Sequence, residues 1–229
     1  MNLIVQCKDL HKTYRQGDIA VHALRGVDLE VEAGSFMALA GPSGSGKTTL
    51  LNLLGGLDRF DEGEVRIKDF VLSGMTPRQT TDMRLHHVGF IFQAYNLIPV
   101  LSAQENVEYI LLLQGTAGKD RRERSRRILD EVGLEGLYHR RPHELSGGQQ
   151  QRVAVARALV SQPEIILADE PTANLDSQTA QSLLDIMREM NQRHGATFIF
   201  STHDQRVMDN ARRIVTLRDG QVHRDEAKD

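Results

Sequence analysis

The stretch "GPSGSGKT", Gly41 to Thr48, constrains the fold of this chain more than any other. It fits the pattern G-x-x-x-x-G-K-[ST] and lies between two apolar runs, "FMALA" and "TLLNLL". A buried strand running into a glycine turn and then a helix is the context in which this pattern cradles phosphate. The glycines allow successive backbone N–H groups to turn inward toward phosphate oxygens. Lys47 adds a cation for the β- and γ-phosphates, and Thr48 a hydroxyl for Mg2+.

Around this unit, strand-like and helix-like segments alternate, which predicts an α/β domain with a mostly parallel sheet. The first third is strand-rich, with expected strands at 3–10, 20–24, 27–31, 36–40 and 65–67. A more helical and more charged stretch follows from about Pro99 to Leu159. Within it, "KDRRERSRRILDEVGL" puts Ile128, Leu129 and Val132 on one buried stripe. The five arginines between Arg121 and Arg127 read as the solvated face of that helix. The last third predicts a strand at 165–168, a helix over 177–193 stopped by Gly195, a strand at 197–201, a short helix at 205–210 and a strand at 213–218.

The 229 residues are ample for a buried core. A net charge of −3 excludes a bulk basic surface for nucleic acid. Cys7 is the single cysteine, so no intramolecular disulfide is expected, in keeping with a reducing setting. The N-terminal "MNLIVQCKDLHK" lacks the basic-then-apolar layout of a signal peptide. The longest apolar run, Tyr109 to Leu113, is far short of the ~20 residues a spanning helix needs. Any membrane association is therefore expected to run through a partner.

Three further motifs carry chemistry. "IILADEPT" is an apolar strand ending in two carboxylates, at the strand end where ligands collect in open parallel sheets. Asp169 is placed to hold Mg2+, largely through water, and Glu170, on the other side of the strand, to polarise an attacking water. "FIFSTHD" brings His203 to another strand end, where it can meet the terminal phosphate, and Gln93 follows the strand "VGFIF" in the same way. "LSGGQQQRVAVARAL" opens a helix on small residues, so Ser146, Gly147 and Gly148 form a second anion-binding helix start. The chain thus carries two phosphate-binding elements where one nucleotide needs one.

Together these residues resemble the ATP-binding cassette (ABC) ATPase family: the phosphate loop, Gln93, "LSGGQ", Asp169-Glu170, "NLD" at Asn174–Asp176 and His203, in the family's order over nearly the whole chain. The resemblance implies a P-loop NTPase core with a mostly parallel sheet, an N-terminal antiparallel β-subdomain and a helical insertion. On it, residues 1–229 form one ABC ATPase domain: about 1–95 and 160–229 make the β-subdomain plus core, and about 96–159 the helical subdomain with the signature. It implies ATP and Mg2+ as cofactors. Tyr14 resembles the aromatic that stacks on adenine, against the alternative of a strand aromatic packed in the core. Gly41, Pro42, Ser43, Gly44, Ser45, Gly46, Lys47, Thr48 and Thr49 are implied to hold the nucleotide. Thr48, Gln93 and Asp169 are implied to hold Mg2+. Glu170 resembles the catalytic base, His203 the γ-phosphate contact, and Gln93 the loop glutamine that faces the membrane partner. Ser146, Gly147, Gly148 and Gln149 resemble the signature loop that binds the γ-phosphate of ATP held by the other subunit, and Asp176 the residue that communicates across the dimer.

The stretches "GPSGSGKTTLLNLLGGLD", "PHELSGGQQQRVAVARAL" and "LADEPTANLD" resemble more narrowly the ATPase subunits of the lipoprotein-releasing and macrolide-exporter group. That likeness implies a homodimer closed by two ATP molecules, on the cytoplasmic face of a bacterial inner membrane, driving a separate permease. "RFDEG" after Leu57-Asp58 departs from the group's usual proline-containing turn. Tyr95, Leu97, Ile98 and Val100 form an apolar cluster that either packs inside the helical subdomain or makes a groove for a short permease helix. Two other roles are compatible with the motifs: an ATPase that signals to a membrane protein without transport, and a non-transport ABC protein acting on nucleic acid.

Overall fold

Two long strands open the chain, β1 (Leu3–Gln16) and β2 (Ile19–Glu32), paired antiparallel from Leu3 opposite Glu32 to Gln16 opposite Ile19. The two short strands expected within 20–31 are one strand, because register shifts in the pairing with β1 absorb the break at Arg25-Gly26. The fold is that of a computed structural model describing residues 2–17 and 19–228. The chain divides into two compact units, Met1–Arg84 with Thr197–Asp229, and Leu85–Ala196.

In the first unit, β3 (Phe36–Ala40) is followed by α1 (Lys47–Leu54), β4 (Glu62–Ile67) and β5 (Phe70–Val71), and α2 (Pro77–His87) carries the chain out of the unit. One sheet has the order β2-β1-β4-β5 and is antiparallel throughout. Every residue of β3 is buried, the pattern of a strand covered on both faces. β3 pairs parallel with β8 (Thr197–Thr202) and β9 (Arg213–Arg218), and β10 (Gln221–Ala227) adds antiparallel to β9. Phe36 packs against Phe198 and Phe200 at ring separations of 5.6 and 4.9 Å, within the range of favourable tilted aromatic pairs. Leu50, Leu51, Leu53 and Leu54 are buried on α1. Each buried leucine contributes about 1.5–3 kcal/mol by leaving water. The short α7 (Gln205–Asn210) follows β8, capped by Asp204.

The second unit contains β6 (Val88–Ile91), α3 (Ala103–Leu113), α4 (Gly118–Glu131), α5 (Gly147–Leu159), β7 (Ile165–Asp169) and α6 (Ser177–His194). β6 and β7 pair in parallel. Its helix starts are written into local sequence: Ser102 and Glu105 form a reciprocal capping box on α3, and Asp176 accepts from the N–H groups of Gln178 and Thr179 on α6. Ile128, Leu129 and Val132 are buried, as their spacing predicts. The arginine run is only partly a solvated face: Arg121, Arg124 and Arg126 donate to Thr116 O, Val160 O and Gln104 Oε1. The reason is that arginine can lay its stem along the helix and still reach fixed carbonyls.

Candidate nucleotide site

The first unit delivers two motifs to one sheet edge. Ala40 of β3 lies opposite Thr202 of β8, so Gly41 and His203 are the next residues out of paired, parallel strands. The phosphate loop is shaped by approaches that forbid side chains. At Gly41, with φ 142°, a β-carbon would collide with Leu217 O and come within 2.7 Å of Ser45 Oγ. At Gly46, with φ 105°, it would come within 2.7 Å of Ala23 O. Gly46 stands at the N-cap of α1 and offers no side-chain cap, so the helix start keeps its positive end for another acceptor. Lys47 is only 7% exposed and its ammonium donates to Gly41 O (2.8 Å) and Pro42 O (3.0 Å). Ser45 Oγ is buried in the same turn without a hydrogen-bond partner. Such an orphan hydroxyl is costly unless something docks there. The loop thus fits a triphosphate: a backbone cradle, a buried cation and a waiting hydroxyl. Thr48 and His203 are exposed.

Tyr14 is 39% exposed, which rules out the core-packed alternative. Its hydroxyl donates to Asp58 Oδ2 at 2.8 Å, and Lys12 Nζ lies 4.8 Å from its ring centroid.

The second unit repeats the edge arrangement. Ile91 of β6 lies opposite Ala168 of β7, which sends Gln93 and the Asp169-Glu170 pair out of the same edge. Asp169 and Glu170 are half-buried, and Glu170 has φ 46°, a left-handed conformation uncommon outside glycine and asparagine. Thr48, Gln93 and Asp169 are all hard oxygen donors, the chemistry Mg2+ selects.

Three polar side chains hold the Gln93 loop, and motif reading assigns none of them this task. Gln151 of α5, fully buried, donates from Nε2 to Phe92 O (3.4 Å) and Pro171 O (2.6 Å). Arg157 donates to Tyr95 O at 2.9 Å and to Asn96 O, where both residues have positive φ. Asn174 donates from Nδ2 to Gln93 O at 3.0 Å. No local signal announces these bonds, because each acceptor is a backbone carbonyl and most are some sixty to eighty residues away.

The signature residues form a closed cap. Ser146 N donates to Gln149 Oε1 (2.9 Å) and Gln149 N to Ser146 Oγ (3.3 Å). Gln149 is thus occupied in its own helix rather than extended. The glycines are packed from behind: a β-carbon on Gly147 would come within 2.9 Å of the Tyr95 hydroxyl, and one on Gly148 would collide with the Thr179 methyl carbon. Asp176 is exposed and caps α6. Leu97 and Ile98 are half-buried and Val100 is 71% exposed. Asn106, buried, accepts from Ile98 N and donates to Ile98 O and Leu101 O, which fixes that loop.

Among the described residues, no helix is long and apolar enough to cross a membrane. The family model "ABC transporter" matches residues 24–173. An uncharacterized ABC transporter ATP-binding protein of Thermotoga maritima is 45% identical, over 97% of this chain and 94% of that one. A macrolide export ATP-binding/permease protein of Hyphomonas neptunium is 47% identical over 96% of this chain, which spans only 34% of that protein. Among solved structures, a dimeric post-hydrolysis state of the ATP-binding cassette MJ0796, bound to ADP and Pi, superposes with a TM-score of 0.90. It is 42% identical, over 97% of this chain and 98% of that one.

Proposed function

The chain belongs to the ABC transporter family as an ATP-hydrolysing cassette, and from that premise we propose that it acts as a homodimer closed by ATP and drives a separate permease of the lipoprotein-releasing and macrolide-exporter type. The observation that carries this reading is the Ser146–Gln149 cap. The first four N–H groups of a helix have no partner within it. Ser146 takes the one at Gln149, which leaves Gly147 and Gly148 to present theirs to an outside anion. The chain's own triphosphate is served by the Gly41–Thr48 cradle, so the second anion site is free to serve a nucleotide held by another copy. A twofold dimer then makes two equivalent composite sites.

In this reading Lys47 and the loop N–H groups bind the phosphates, and Tyr14 stacks on adenine. His203 contacts the γ-phosphate, Glu170 polarises the attacking water, and Asp176 communicates between subunits. Thr48, Gln93 and Asp169 hold Mg2+, which neutralises phosphate charge when bound. Val100, with Leu97 and Ile98 beside it, offers the apolar surface for a permease helix at the cytoplasmic face of the membrane.

Glu170→Gln separates binding from chemistry. Turnover should fall at least about a hundredfold, in line with loss of a general base, while ATP affinity stays within about twofold. Retained turnover would remove Glu170 from the catalytic role.

A further inference from the structure

The loop leaving α1 departs from the family's usual turn, and the proposed stacking role of Tyr14 leaves Asp58 unexplained. Asp58 gathers three donors. Its Oδ2 accepts from the Tyr14 hydroxyl (2.8 Å), and its Oδ1 from Lys12 Nζ (3.1 Å) and Arg59 N (2.7 Å). Lys12 is buried, bonds Arg59 O at 2.6 Å as well, and sits 4.8 Å from the Tyr14 ring centroid. Thr49, on α1, is a further side-chain partner of the Tyr14 phenol.

The protonation states suit this arrangement. Burial raises Asp58, but the bonds from Tyr14, Arg59 N and Lys12 outweigh it and hold the carboxyl below its usual range. Burial and the Asp58 bond push the Tyr14 phenol up, so it stays a donor. The pair is a charge-assisted hydrogen bond, the stronger kind.

Position gives the network its consequence. The phosphate loop opens α1 at Lys47, and Asp58 follows four residues after the helix ends at Leu54, with Leu57 N bonded back to Asn52 O. The β1 strand carrying Tyr14 is thereby tied to the far end of the helix whose near end cradles phosphate. Thr49, the third residue of α1, meets the same phenol, so the ring is referred to both ends of the helix that opens on the phosphate loop.

We propose that Asp58, together with Lys12, is the positioning group that fixes the Tyr14 ring as a platform for the nucleobase at a set distance from the phosphate cradle. This rests on the reading of Tyr14 as the base-stacking residue. Lys12 covers one region of the ring and supplies a cation–π contact, which keeps the aromatic plane from rotating.

The test compares ATP with inorganic tripolyphosphate, each with Mg2+, by titration calorimetry on the full chain carrying Glu170→Gln. Asp58→Ala and Tyr14→Phe should each weaken ATP about tenfold, the size expected for a charge-assisted bond. Both should leave tripolyphosphate within about twofold, and the double variant should be no weaker than either single one, because both remove the same bond. Equal loss for ATP and tripolyphosphate, unchanged ATP affinity, or additive losses would each overturn the proposal. Tyr14→Phe keeps the ring and guards against a folding defect in Asp58→Ala. Tyr14→Ala tests the underlying reading separately. If it weakens ATP while Tyr14→Phe and Asp58→Ala do not, the platform stands and the Asp58 tether falls. If Tyr14→Ala leaves ATP untouched, the platform itself falls.

Discussion

Gly148 of the signature helix lies directly against the methyl carbon of Thr179 on α6, so close that any β-carbon at position 148 would collide with it. The second signature glycine therefore has a packing duty beside the phosphate contact proposed for it, and a bulky change such as Gly148→Asp would mix the two. Gly148→Ala should destabilise the chain by about 1–3 kcal/mol through overpacking. Thr179→Ser removes only the offending methyl, so the double variant should regain most of the lost urea midpoint. If the glycine also has to approach a partner's phosphate, ATPase activity should remain depressed in that stability-restored variant. Full recovery of activity would reduce Gly148 to a packing residue.

Lys47 spends its ammonium on Gly41 O and Pro42 O, so the cation is held at the mouth of the cradle. Lys47→Ala should abolish the thermal shift that ATP confers. For the unaltered chain that shift corresponds to about 2.7 kcal/mol at a hundredfold excess over Kd. Melting curves with and without Mg-ATP read the difference directly, and a preserved shift would place the binding energy elsewhere.

Asp176 caps α6, and bonds from Thr179, through side chain and backbone, with a further bond from Gln178 N, hold its carboxyl below the usual range. A folded value below the unfolded one means the contribution is fully present above about pH 4 and is lost as the pH falls through the folded value. The stability gap between the unaltered chain and Asp176→Ala should therefore be widest at neutral pH and narrow as the pH falls below the ordinary aspartate value of about 4. Urea midpoints across that window measure it. A constant gap would mean that the ionised cap is not what Asp176 contributes.

Cys7 is buried in β1, and burial, reinforced by Asp28, pushes its thiol up to about 12. Because the thiolate is the nucleophile, the native chain should resist alkylation at pH 8. It should react readily once urea unfolds it. Mass spectrometry after timed exposure to iodoacetamide follows both rates, and fast labelling of the native chain would contradict the burial.

Much of this architecture was legible because it is repeated locally. The apolar strands "FMALA" and "IILAD", the helix start at Ser146, and the stop after His194 each lie in a few adjacent residues. β10 was not, since "QVHRDEA" is almost wholly exposed and takes its strand form from pairing with β9. α2 buries only Met83, so no apolar stripe marks it. The motifs name Gln93 and Glu170, but the buried amide of Gln151, which bonds the carbonyls next to both, looks in sequence like any polar residue on a helix. Asp58 is hidden for the same reason: its partners are set by the pairing of β1 and the end of α1, not by neighbours in the chain.

The central claim is that ATP closes two copies of this chain, and the mass of the Glu170→Gln variant in solution tests it most directly. By light scattering without nucleotide, the chain should run at its monomer mass of 25.7 kDa. At saturating Mg-ATP it should run at twice that value, and Lys47→Ala introduced into the same variant should return it to the monomer. A monomer at saturating ATP, with binding confirmed in the same sample, would contradict the account.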